Sequence, residues 1–166
     1  SFGSPESVEW LADSAEQSNS LYAIHGADIG GDFVVYAGGE NGMVIWKNGI
    51  SEPWNTFTLP ETFTVRGVYA RSVDSVWVVG DGGRVYVGSG ESWDAVTTFT
   101  SENLNAISEV DGTLVAVGAG GSVFESTDGL DWTARGVSSG ADLLAVGAAS
   151  SLGTFAAGAD GTLLFD

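Results

Sequence analysis

The residues able to do chemistry are few. There is one His, no Cys, and 5 Lys and Arg against 22 Asp and Glu. Without cysteine there is no thiol nucleophile, disulfide or thiolate metal site. The single imidazole, His25, has no acid or nucleophile at a spacing suited to catalysis and cannot build a His metal cluster. It reads as a loop or channel residue. Carboxylates are the abundant reactive groups, and two sets recur with a fixed spacing. Asp32, Asp74 and Asp111 each open the second strand of a repeating unit, with Ser151 in the fourth place. Three carboxylates on one face could attract Ca²⁺, the one cofactor that these residues suggest. Ordinary turn chemistry, as in Asp111-Gly112, explains them equally simply. The second set is Glu40, Asp81 and Asp160, in Gly-rich loops that should share one rim, with Ala119 in the third loop. Such a rim could hold a cation or an amine, although turns favour acidic residues in any case.

Arg66, Arg71 and Arg84 fall in one unit, near Tyr69, while Arg135 lies elsewhere. As cations they can pair with an anionic group. Trp46 and Trp54 flank the irregular loop Lys47-Asn48-Gly49-Ile50. Trp faces stack on sugars and anchor protein contacts, but most Trp is well buried. Glu40, Asp81, Asp160, Arg66, Trp46 and Trp54 are therefore the candidate ligand or partner residues. No residue stands out as catalytic.

Charge narrows the partners. The net charge is −17. No basic stripe exists to replace phosphate counterions, so no nucleic-acid partner is expected. The longest apolar runs, such as Val76–Val79 and Leu114–Val117, are strand-sized, so no membrane insertion is expected either. At 166 residues and 43% hydrophobic, the chain suits one domain with its own core. It begins with Ser1 rather than Met, which suggests a processed or excised segment. A secreted, periplasmic or extracellular setting fits the composition.

The elements that would position these residues follow from an internal repeat. GENGMVIW, GDGGRVYV, GAGGSVFE and GADGTLLF start at Gly39, Gly80, Gly118 and Gly158, in steps of 41, 38 and 40. Each is preceded by an aliphatic-any-small-aliphatic stretch, beginning at Leu21, Val65, Leu104 and Leu143. Trp10, Trp54, Trp93 and Trp132 each lie 11 residues before one of these stretches. A unit of about 40 residues then holds four strand-like runs separated by Gly or Asp-Gly turns. Four antiparallel strands at this period predict an all-β, four-bladed β-propeller. The blades run approximately over 19–60, 61–100, 101–140, and 141–166 plus 1–18. The fourth unit has only three strands, and its fourth is expected from the N-terminus. There Ser4-Pro-Glu-Ser-Val-Glu-Trp10 matches Ser126-Thr-Asp-Gly-Leu-Asp-Trp132 position by position. An N-terminal strand closing the last blade would remove an exposed sheet edge. That strand can pair within one chain or between two, so a monomeric four-bladed ring and an eight-bladed homodimer are both compatible. Even Trp spacing around the circle favours the monomer.

STDGLDW, Ser126 to Trp132, resembles the Asp-box of bacterial neuraminidase repeats. The preceding VAVGAGGSVFE is similar to the blades of photosystem II assembly-factor propellers. The resemblance implies a propeller fold and assigns the box a structural role. Asp128 would accept backbone hydrogen bonds, and Trp132, with Trp10 and Trp93 at matching places, would pack between neighbouring boxes or strands. It implies a non-enzymatic binding or scaffolding module presenting one rim to a protein partner. A lectin-like glycan-binding module is the alternative, and a sialidase-like glycoside hydrolase remnant a third reading. The neuraminidases resemble larger propellers, whereas four blades leave little central cleft.

Overall fold

A computed structural model describes residues 18–49, 51–137, 139–150 and 153–166. Its strands fall into four consecutive antiparallel sheets, the blades of an all-β propeller. Blade 1 is β1 (Leu21–Ile29), β2 (Asp32–Gly39), β3 (Met43–Lys47) and β4 (Asn55–Thr58). Blade 2 is β5 (Val65–Ser72), β6 (Ser75–Gly80), β7 (Val85–Ser89) and β8 (Ser92–Ala95). Blade 3 is β9 (Leu104–Val110), β10 (Thr113–Gly118), β11 (Val123–Ser126) and β12 (Thr133–Arg135). Blade 4 has three strands, β13 (Leu143–Ala149), β14 (Gly153–Gly158) and β15 (Leu163–Phe165). The expected closing strand around Trp10 lies outside the described residues. Among the described residues no helix is long and apolar enough to cross a membrane.

The Gly-rich signatures are the turns between second and third strands. Each is a three-residue 3₁₀ turn whose middle residue takes a left-handed conformation: Asn41 (φ 59), Gly82 (φ 65), Gly120 (φ 63) and Asp160 (φ 55). Gly and Asn tolerate this region best, which accounts for the repeating glycines. The turns also fold back on their own inner strand, as where the Ala119 N–H donates to the Asn103 carbonyl at 2.9 Å.

Blades stack in series, with β1 against β5, β5 against β9 and β9 against β13. A middle sheet is thus covered on both faces, which explains why β6 and β10 are apolar without alternation. The core sits at the junctions. Between blades 1 and 2 it includes Tyr36, Val44, Trp46, Phe63, Val65 and Val68. Between blades 2 and 3 it includes Trp77, Val79, Val85, Leu104, Ile107 and Phe124. The junction of blades 3 and 4 is smaller, built on Val115, Val117, Leu143 and Ala156.

Candidate functional site

The inner strands carry the feature that shapes the rim. In each blade the pairing of the inner strand skips one residue: the register jumps from Leu21 to Ala23, Val65 to Gly67, Leu104 to Ala106 and Leu143 to Ala145. The skipped residue is the variable position of the aliphatic-any-small-aliphatic stretch: Tyr22, Arg66, Asn105 or Leu144. A bulge re-aims its extra side chain, here toward the rim formed by the Gly-rich turns. The Tyr22 hydroxyl donates to Glu40 Oε1 at 3.0 Å. Arg66 Nε pairs with Asp81. Asn105 Nδ2 donates to the Leu143 carbonyl at 2.8 Å. Leu144 is exposed on the fourth blade. Tyr22 and Arg66 thus stand beside the turn of their own blade, Asn105 reaches across to the next blade, and Leu144 is exposed. The sequence points to Arg66 among these but not to Tyr22, Asn105 or Leu144, because that position reads as unconstrained. Its signal was the variability itself, inside an otherwise regular stretch.

Two of the rim acids, Glu40 and Asp81, are held in place. Glu40 accepts the Ser20 N–H at 3.1 Å and the Tyr22 hydroxyl, and these bonds keep its carboxyl below the usual Glu range. Burial alone would raise Asp81, but the bonds from Arg66 and Thr64 outweigh it, and the group sits below the usual Asp range. Asp160 is exposed and lies one residue further along its turn, in the left-handed slot of Asn41 rather than the place of Glu40 and Asp81. Glu61 accepts Arg84 Nε at 2.8 Å and the Tyr86 hydroxyl at 2.9 Å. The arginine bond contributes most to holding Glu61 low, while burial and Glu61 push Tyr86 up to about 12. Neighbouring blades are tied here too: the Gly82 N–H donates to Asn103 Oδ1 and the Gly120 N–H to Asp142 Oδ1, each at 2.8 Å.

The other candidates separate. Asp74 and Asp111 sit exposed in hairpin turns, Asp111 with φ 46, and the Asp32 side chain lies outside the described residues. Among the described residues no three His, Cys, Asp or Glu side chains are grouped to hold a metal ion. Arg66 and Arg71 stand near opposite ends of β5. Arg71 pairs with Glu109 at 2.6 Å and lies over the Trp77 ring at 4.7 Å, while Arg84 pairs with Glu61. The three arginines thus engage three different carboxylates and do not converge on one ligand. Arg135 pairs with Glu125 at the mouth of a cleft of about 450 Å³ between blades 3 and 4, walled by Val115, Val117, Ala156 and Leu164.

Trp46 and Trp54 do not come together. Trp46 is buried between blades 1 and 2, stacked on Tyr36 at 6.1 Å. Trp54 packs on Ala37, Met43 and Ile45, on the other face of blade 1, with Lys47 Nζ at 4.8 Å from its ring. His25 belongs to β1 rather than to a loop. Its Nδ1 accepts the Ala70 N–H of blade 2 at 3.1 Å, and burial lowers its pKa.

The Ser126-Thr-Asp-Gly turn is a clasp between blades. Asp128 Oδ1 accepts the Leu130 and Asp131 N–H groups, both at 2.9 Å, and the Ser126 hydroxyl at 3.0 Å. The Asp131 and Leu130 bonds are the main causes that hold its carboxyl below the usual range. The Gly129 carbonyl accepts Nε1–H of Trp132 and of Trp77 in blade 2, both at 3.2 Å. The turn of blade 2 docks on blade 1 in the same manner: the Gly90 N–H donates to the Tyr36 hydroxyl at 2.9 Å, and Trp93 Nε1 donates to the Gly90 carbonyl at 2.8 Å. Trp10 lies outside the described residues.

A profile of the DUF6242 beta propeller domain matches residues 4–143. No curated protein matches the chain. Among solved structures, YCF48 from Cyanidioschyzon merolae superposes with a TM-score of 0.67 at 18% identity, covering 91% of this chain and 51% of that one. A structure described as YCF48 bound to D1 peptide superposes with a TM-score of 0.60 at 14% identity, covering 89% of this chain and 54% of that one. The chain thus spans about half the length of the solved chains it resembles, and at these identities the likeness is one of fold. By the extent of the profile match, the chain belongs to the DUF6242 beta propeller domain family.

Proposed function

We propose that this domain is a non-enzymatic scaffold that holds a protein partner on the rim of the inner-strand bulges and Gly-rich turns. The supporting observation is that a propeller of similar fold is described as bound to a peptide. The rim suits the role. It offers four unlike side chains, Tyr22, Arg66, Asn105 and Leu144, on a repeated rigid frame. Function placed on variable positions of a regular scaffold is the common pattern. Tyr22 and Leu144 are exposed apolar anchors, and Glu40 and Asp160 supply negative charge, whereas Asp81 is paired with Arg66. A segment with basic and apolar residues would match this surface.

A peptide array probed with the labelled domain at low and high salt tests the proposal. Basic-apolar peptides should bind, more weakly at high salt. Tyr22→Ala and Leu144→Ala should each weaken the best peptide about tenfold, or about 1.4 kcal/mol. Binding unaffected by both substitutions would remove the rim from the account.

A further inference from the structure

The stretch Lys47-Asn48-Gly49 leaves β3 at the end far from its Gly-rich turn. In an Asn-Gly pair the asparagine amide is open to attack by the following backbone nitrogen, because glycine has no Cβ to shield it. The chain has six asparagines, and two of them, Asn41 and Asn48, precede glycine. The fold treats these two oppositely. Asn41 is held at φ 59 inside a 3₁₀ turn, and its Nδ2 donates to Asn19 Oδ1 at 3.5 Å. The Gly42 N–H donates to the Phe63 carbonyl at 2.6 Å, a bond that must break before this nitrogen can lose its proton. Asn48 is exposed, and among the described residues neither its side chain nor the Gly49 N–H has a hydrogen-bond partner. Asn19, Asn41, Asn55, Asn103 and Asn105 each hold one through the side chain. The residue types of the turn account for the difference. In blade 3 the Ser126 hydroxyl takes the Gly129 N–H at 2.8 Å. Lys47 stands in the place of Ser126, and its ammonium offers no acceptor. The backbone at Gly49 is also uncrowded: a Cβ there would meet only Glu52 Cγ, at 3.4 Å.

We propose that Asn48 is a site of spontaneous modification, deamidating through a cyclic imide to aspartate and isoaspartate, while the fold keeps Asn41 intact. The Gly49 nitrogen loses its proton to solvent and bonds to Asn48 Cγ. The bond from Cγ to Nδ2 breaks, and Nδ2 leaves as ammonia with a proton from water. Water then adds to either carbonyl of the imide. Addition at Cγ breaks the new bond and leaves aspartate. Addition at the main-chain carbonyl breaks the original peptide bond and leaves isoaspartate, with the chain now running through the side chain. Water is the one co-reactant, and nothing is oxidised or reduced. The product places a new carboxylate next to Lys47, whose Nζ lies 4.8 Å from the Trp54 ring. The modification does not depend on the partner rim.

Peptide mapping of the folded full chain, aged at mildly alkaline pH, tests this. Cleavage after Lys47 puts Asn41 and Asn48 in separate peptides. Deamidation exchanges NH₂ for OH and changes the mass, whereas isomerisation at an Asp-Gly pair does not. In native buffer the Asn48 peptide should convert at least about tenfold faster than the Asn41 peptide, which reacts only after local opening. In urea, where both turns are open, the two rates should converge. Asn48→Gln, at an exposed position, should remove the fast site, because the longer side chain has to close a larger ring. An isoaspartyl methyltransferase should label the aged Asn48 peptide and not its Gln variant. Equal native rates at Asn41 and Asn48 would overturn the proposal. So would an Asn48 that stays intact in the folded chain and converts only in urea, or a mass change that persists at the wild-type rate in Asn48→Gln.

Discussion

His25 accepts the Ala70 N–H through Nδ1, so its neutral ring carries the proton on Nε2. Protonation would place a second N–H against that of Ala70, and Tyr69 packs on the ring at 4.6 Å without offering a charge. Burial accordingly lowers the folded-state pKa below that of the unfolded chain. A group depressed in this way is protonated more readily when unfolded. Its contribution is intact well above about 6.5 and is lost as the pH falls from there toward the folded value. Denaturant midpoints should therefore drop between neutral pH and about pH 5, and His25→Gln should flatten that drop. Equal slopes for both proteins would show that His25 is not the titrating group. A separate acid loss should follow at lower pH, where the depressed carboxyls of Glu40, Glu61, Asp81 and Asp128 become protonated.

The turns matter more between blades than within them. Gly129 has φ 77, and a Cβ added there would fall inside the Trp77 indole. Gly120 has φ 63 with open space around it. Gly120→Ala should therefore cost only left-handed strain, about 1–2 kcal/mol. Gly129→Ala adds overpacking against Trp77 and should cost roughly 2–4 kcal/mol. Urea unfolding of both variants separates the two terms, and equal losses would mean that the clasp yields without cost. The same comparison explains the cleft between blades 3 and 4. Val115 stands there in the place of Tyr36 and Trp77, so that junction lacks the aromatic that fills the other two.

Across the whole molecule, 22 acidic residues face 5 basic ones. The four arginines are paired with carboxylates, leaving most of the negative charge uncompensated. Exposed pairs are worth about 0–1 kcal/mol each, so they do not offset the general repulsion. Screening shortens from about 30 Å at 0.01 M salt to about 8 Å at 0.15 M. Melting temperature should rise across that range. A fall would mean that the local pairs outweigh the net charge.

The sequence by itself determined the blades. Turn conformation and strand pairing are local, so glycines at left-handed positions and a Trp 11 residues before each inner strand could be read without coordinates. The inner-strand register was legible to the same extent, except for the bulge, which shows only when the partner strand is in place. Contacts between units were decided by the tertiary structure. Trp46 and Trp54 are near in sequence but face opposite ways, because strands that pass through the stack bury both sides. Arg66 and Arg71 share one strand yet serve different carboxylates, one in the same blade and one in the next. Repeat spacing counted the blades. Only the packing of sheet on sheet decided which apolar faces are buried between the blades.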